Sequence, residues 1–280
     1  MTEAVKILAL IDIIFVILLA IAGSLGGVLG EIVYSYLAFI VPIAIGFYAS
    51  LRLKAKREAE AGVAEEYKNL FRLDIGRIKK LLPLIAPSVA IVFVISLVTS
   101  LLLSAVGGTS PSVEDRGILL MLFDHAITPA VFEEMLFRYV PMLLIAPYSK
   151  RFCVFYSAFS FALIHCSFWQ MPYAFVAGMI FMTVDLALDS VWPSVVLHFI
   201  NNAASVIWMK YCAATAGTAI FLLSLATLTL ASLVLVYVKR REYSGLVRLA
   251  TEKGEHAEYG YPTFMLVLLC GYLAVSNLFM

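Results

Sequence analysis

Charge is what this chain has least of. Asp, Glu, Lys and Arg make up 14% of its 280 residues, against about 25% in soluble domains. Hydrophobic residues make up 62% and the mean hydropathy is +0.97, which excludes an ordinary soluble domain. A net charge of +1 excludes the basic face that a nucleic-acid partner needs, and gives no case for an acidic one. Cysteine is scarce too. Cys153, Cys166, Cys212 and Cys270 lie in or beside apolar runs and form no CxxC pair, so they read as small core hydrophobes rather than a disulfide or metal set. No HExxH, no internal repeat and no low-complexity tract occurs, so one membrane domain accounts for residues 1–280. The apolar runs also lack period-two alternation, which excludes a transmembrane barrel.

What is present is a series of nine apolar segments: Val5–Gly27, Ile32–Leu51, Leu81–Val106, Ile118–Pro147, Phe152–Phe168, Tyr173–Leu188, Ser194–Tyr211, Ala219–Val238 and Thr263–Met280. They predict an all-α polytopic membrane bundle of eight or nine transmembrane helices. Lysine and arginine cluster in the connection 52–80, at Lys150 and Arg151, and from Lys239 to Lys253. All three clusters fall on one side if nine spans alternate, which predicts a cytoplasmic N-terminus. The first segment, with Lys6 and Ala20-Ile21-Ala22, also resembles a signal peptide. Its apolar run continues past Ala22, so a retained helix is expected. Glu58–Lys80 mixes charged and apolar residues at helical spacing, as either an interfacial amphipathic helix or a solvated linker helix would.

The fourth segment carries VFEEMLFRYV, with Glu133, Glu134 and Arg138 inside a run long enough to span a bilayer. Charges at that depth cost several kcal/mol each without compensation. Residues four apart share a helix face, so Glu134 and Arg138 can pair, whereas Glu133 is turned by about 100°. Glu133 is the carboxylate left without a counter-charge, and a carboxylate so placed suits a general base. A buried Glu–Arg–Glu network that only locks helices together would use the same three residues. The fifth segment has Phe161 and His165 one turn apart in FALIH, and the seventh has His198 and Asn202 in HFINN. A lone intramembrane histidine is usually an interhelical contact. Two of them, with asparagine and a free glutamate on nearby helices, resemble a site for polarising a carbonyl and activating water.

EEMLFR fits EExxxR, FALIH fits FxxxH and HFINN fits HxxxN. In this order, on separate spans, these resemble the motifs of the CAAX protease and bacteriocin-processing family of glutamate-dependent intramembrane endopeptidases. The resemblance covers Glu133–Asn202, the catalytic core being expected within about residues 118–212. It implies that Glu133, with His165, activates the attacking water, and that Glu134 and Arg138 hold the helix and tune the base. It further implies that His198 and Asn202 donate to the oxyanion and that Phe161 fixes the His165 ring. No cofactor is required on this reading. The alternative is zinc held by Glu133, His165 and His198 with water in a fourth position. No supporting carboxylate is obvious beside either histidine.

The implied substrate is a peptide or protein tail with a lipidated or apolar segment, reached from the membrane. It is a prenylated C-terminus, or a bacteriocin-like or signalling peptide in the cell membrane of a prokaryote. The rivals are a secondary transporter coupling protons through Glu133 and Asp185, for which inverted repeats are missing, and a non-catalytic immunity or scaffold member of the same family. Asp185 and Asp189 share a face of the sixth segment and are expected in supporting roles. Asp124 and His125 precede the glutamates, Trp169 and Trp192 fit an aromatic belt, and Ala174 and Gly178 fit close helix packing. Convergence of the motifs requires a repair to these boundaries, because His165 and His198 would otherwise differ in depth by more than roughly 10 Å. The fifth and sixth segments must be short, or the Asp189–Ser194 corner buried. Glu133, His165 and His198 are then expected to line one cavity.

Overall fold

The computed structural model describes residues 2–62, 69–71, 75–105, 117–165, 167, 170–212 and 215–251. Among them are nine helices and no strand. α1 is Thr2–Leu25, α2 is Gly27–Ala61, α3 is Ile75–Ala105, and α4 is 118–144. α5 is Lys150–Leu163, α6 is Met171–Leu188, α7 is 192–212, α8 is Thr215–Val238 and α9 is Arg240–Thr251. Eight of these answer to apolar segments of the sequence. The ninth segment, Thr263–Met280, lies outside the described residues, as do Glu65, Glu66 and Lys68 of the polar connection. α9 is instead an amphipathic helix after the Lys239–Arg241 cluster, tied to α3 where the Tyr243 hydroxyl donates to the Pro83 carbonyl at 2.7 Å.

Five stretches are long and apolar enough to cross a membrane: Thr2–Leu25, Gly27–Ala61, Leu82–Leu102, Met171–Leu188 and Thr218–Val238. Their outward faces expose Leu10, Ile13 and Ile17 of α1 and Leu223, Leu230 and Leu233 of α8, the inside-out pattern that lipid favours and water does not. The chain is an integral membrane protein. Of the helices that carry the polar motifs, α5 is buried along most of its length, α4 over most of Leu136–Leu144, and α7 at Leu197, His198 and Asn201. α1 packs into the same core through Leu8, Ile11 and Phe15. Its one buried acid, Asp12, accepts the Tyr156 hydroxyl of α5 at 2.6 Å.

Helix ends follow local chemistry. α1 gives way to α2 at Gly26 and Gly27, both at positive φ where a Cβ would be strained. Ser149 caps α5 by accepting the Phe152 N–H at 3.2 Å. α5 then stops at Leu163 after 14 residues, about 21 Å of rise, short of His165. At the α6–α7 corner Ser190, Val191, Pro193 and Ser194 are all buried. Of the two boundary repairs the first is present by half, since the fifth helix is short while the sixth runs a full 18 residues. The second is present in the corner, where all but Asp189 and Trp192 are buried. Val191 N–H and the Trp192 indole N–H donate to the Leu70 and Phe71 carbonyls at 3.0 and 2.9 Å, fastening the corner to the connection between α2 and α3.

α5 and α6 meet at Gly178, where an added Cβ would stand 2.7 Å from the Ala158 Cα. The small-residue stripe in the sequence is thus a backbone-to-backbone contact. Gly178→Ala should destabilise the protein by about 1–3 kcal/mol in thermal unfolding of detergent-solubilised material. Gly245→Ala in α9, where the Cβ meets open space, should cause no such loss.

Candidate active site

α4 supplies the charges. Glu134 and Arg138 are both fully buried, and the Nε of Arg138 lies 3.0 Å from Oε2 of Glu134. The approach is too bent to count as a hydrogen bond, so charge holds the pair more than a directed N–H does. The remaining guanidinium nitrogens have no hydrogen-bond partner among the described residues. They rest on aromatic faces, with Cζ 4.2 Å from the Phe161 ring centroid and 5.7 Å from that of Phe181. The i, i+4 pairing read from the sequence is present. Glu133 points elsewhere: its side chain keeps 17% exposure, while its Oε2 is enclosed and without a hydrogen-bond partner.

The other oxygen of Glu134 reaches α7. Its Oε1 lies 2.7 Å from Nδ1 of His198, so a carboxylate does stand beside one of the histidines, contrary to the expectation above. The sequence hid it because the partners are 64 residues apart and meet only in the bundle. A carboxylate accepts, so Nδ1 carries a hydrogen. Nε2 of His198 lies 3.1 Å from Nδ2 of Asn202, which also donates to the His125 carbonyl at 2.9 Å. An amide nitrogen bonded to a carbonyl is a donor, so Nε2 receives its second N–H and is the bare nitrogen of a neutral ring. In this arrangement His198 and Asn202 satisfy one another, rather than presenting two donors to an oxyanion. Nε2 also lies 3.9 Å from Oε2 of Glu133, too far for a direct bond. The contacts join Glu133 to His198 and not to His165.

His165 lies just beyond the end of α5, its Nδ1 donating to the Phe161 carbonyl at 2.9 Å. In the neutral ring that bond leaves its Nε2 bare. Phe161 touches both imidazoles, with ring centroids 5.1 Å from His165 and 5.5 Å from His198. It does pack beside His165, and it also carries the Arg138 guanidinium and meets Phe137 at 6.1 Å. The proposed zinc ligands do not fit a metal here. Among the described residues no group of three His, Cys, Asp or Glu side chains could hold one.

Two contributors escaped the motif reading. Phe181 lies against both Arg138 and His198, with a ring separation of 5.9 Å from the latter, and it shares a face of α6 with Asp185 four residues on. The signal was an aromatic one turn before an intramembrane acid. Asn201, one place before the motif asparagine, is buried with neither amide atom hydrogen-bonded among the described residues.

Residues 115–204 match the family model described as Type II CAAX prenyl endopeptidase Rce1-like. The matched stretch runs from just before α4 into α7 and contains all three motifs. The chain thus resembles, over its central third, a family of CAAX-type intramembrane proteases that also includes non-catalytic members. No curated protein and no solved structure matches it.

Removing one member of the buried pair should cost more than removing both charges. Arg138→Leu leaves Glu134 uncompensated and should destabilise by about 3–5 kcal/mol. The double variant Arg138→Leu with Glu134→Gln should lose less, as comparison of unfolding midpoints in one detergent would show.

Proposed function

We propose that the protein is an intramembrane endopeptidase that hydrolyses a peptide bond near the C-terminus of a lipidated, CAAX-type, or otherwise membrane-associated peptide. The observation that carries this reading is the 3.9 Å gap between Glu133 Oε2 and His198 Nε2. Once Asn202 releases Nε2 and the two side chains part enough to admit it, a water in the gap would donate a hydrogen to each facing atom and turn its lone pairs outward. As that oxygen bonds to the scissile carbonyl carbon, Glu133 takes a proton and the carbonyl oxygen gains the electron pair. Glu133 then returns the proton to the amide nitrogen as the C–N bond breaks. Asn202 serves the oxyanion by releasing His198 and turning one of its two N–H groups towards the new negative charge. Glu134 keeps the His198 tautomer, Arg138 compensates Glu134, and His165 faces the same aromatic wall. The part of His165 is that of a second acceptor for protons moving through the site.

An apolar segment of substrate has a place to lie. On the side of α4 away from α7, Ile40 and Phe47 of α2 and Val131, Phe132 and Met135 of α4 line an apolar groove of about 390 Å³. Phe132 and Met135 flank the glutamates in sequence, so a greasy chain in this groove would bring its peptide to the catalytic helix. A cytoplasmic N-terminus, as the charge pattern predicts, would open the sunken α6–α7 corner towards prenylated C-termini made in the cytosol.

The test is cleavage of a prenylated CAAX peptide by purified protein in detergent or liposomes. The wild type should cut it, and Glu133→Ala, His165→Ala and His198→Ala should each lower kcat by about 100-fold or more. Cleavage indifferent to Glu133→Ala would end the reading. Activity lost to a chelator and restored only by zinc would transfer water activation to a metal.

A further inference from the structure

We infer that Asp185, which belongs to none of the three motifs, is a positioning residue for His198. The argument begins with the backbone donors at the start of α7, which a helix cannot satisfy internally. Val191, at the cap position, has no side chain able to accept, and the cap carries no side-chain hydrogen bond. The Trp192 N–H goes to the Ser190 hydroxyl at 3.3 Å. Pro193 has no N–H. The Ser194 N–H goes to Oδ1 of Asp185 at 2.9 Å, and the Val195 N–H is the first to find a partner at the corner itself, the Val191 carbonyl at 3.2 Å. The one side-chain bond to a backbone N–H in that turn that is shorter than 3 Å is therefore made by a residue of another helix. Its carboxylate also sits at the positive end of the α7 dipole.

Asp185 is fully buried, and its backbone carbonyl takes the Ser190 N–H at 3.1 Å. One residue thus grips both sides of the corner. Ser194 is four residues before His198, so the two lie one above the other on one helix face. The turn that Asp185 fixes is the turn whose placement sets the 2.7 Å contact between His198 Nδ1 and Glu134. The Ser194 hydroxyl donates to the Val191 carbonyl at 2.9 Å, and its own N–H cannot point at its own Oγ with hydrogen-bond geometry, so it does not replace the carboxyl as acceptor.

The ring of His198 reports this directly. In ¹⁵N spectra of the full-length protein labelled at histidine, in micelles, the His198 signals are identified by their loss in His198→Gln. They should show Nδ1 protonated and Nε2 bare in the wild type. Asp185→Leu and Asp185→Ser both remove the reach to the Ser194 N–H and should shift His198 towards the ordinary tautomer mixture. Asp185→Asn keeps an oxygen acceptor in place and should restore the wild-type pattern. Wild-type His198 signals in whichever of the Leu and Ser variants folds would overturn the assignment, as would an Asn variant no better than Leu. The consequence for cleavage rests on the peptidase reading, whereas the state of the ring does not. Where the wild type cuts a CAAX peptide, Asp185→Leu should lower kcat by up to about 100-fold with KM little changed, and Asp185→Asn should recover it. Unchanged kcat in Asp185→Leu would overturn the positioning role while leaving the peptidase reading intact.

Discussion

The buried contact between Glu134 and Arg138 is the constraint on which the centre of this molecule depends. Two charges removed from water are costly, and mutual attraction offsets that cost only when the surroundings are arranged for it. Here the surroundings are Phe161 from α5, Phe181 from α6 and His198 from α7. Each is held against the pair by a distance of ordinary contact: 4.2 Å, 5.7 Å and 2.7 Å. Four helices thus take their relative positions from one charge pair. The carboxylate next to it in sequence, Glu133, is kept out of that arrangement and so remains available.

The same constraint explains why aromatic residues recur where a soluble enzyme would use hydrogen-bond donors and acceptors. A guanidinium with unpaired N–H groups would be expensive in an apolar interior, and the faces of Phe161 and Phe181 supply the compensating negative potential without adding further polar atoms. Phe161 has a second duty as the ring against which both His165 and His198 pack. The phenylalanine of the FxxxH pattern is accordingly a structural member of the site, and its identity matters as much as that of the histidine.

Much of this could be read from the chain and some could not, for reasons that differ by residue. The pairing of Glu134 with Arg138 was legible because it is local: helical geometry alone brings residues four apart together. The close approach at Gly178 was legible for the same reason. The contact of Glu134 with His198 was not, because it joins helices whose relative rotation no periodicity encodes. The end of α5 at Leu163 was also hidden, since hydropathy in the sequence continues smoothly past it. Asp185 was noticed but could not be given a partner, because its partner is a backbone N–H, which every sequence position but proline offers alike.

α5 has a further consequence, for the lipid around it. At about 21 Å it is shorter than the roughly 30 Å hydrocarbon layer of a typical bilayer. Where its outer strip at Arg151 and Phe155 is exposed, a helix of that length asks a bilayer to thin, or water to stand over its end. On the peptidase reading proposed above, water is needed at the reacting bond and must be kept from the tail that anchors the substrate in lipid. A dent in the bilayer next to a short helix would meet both needs.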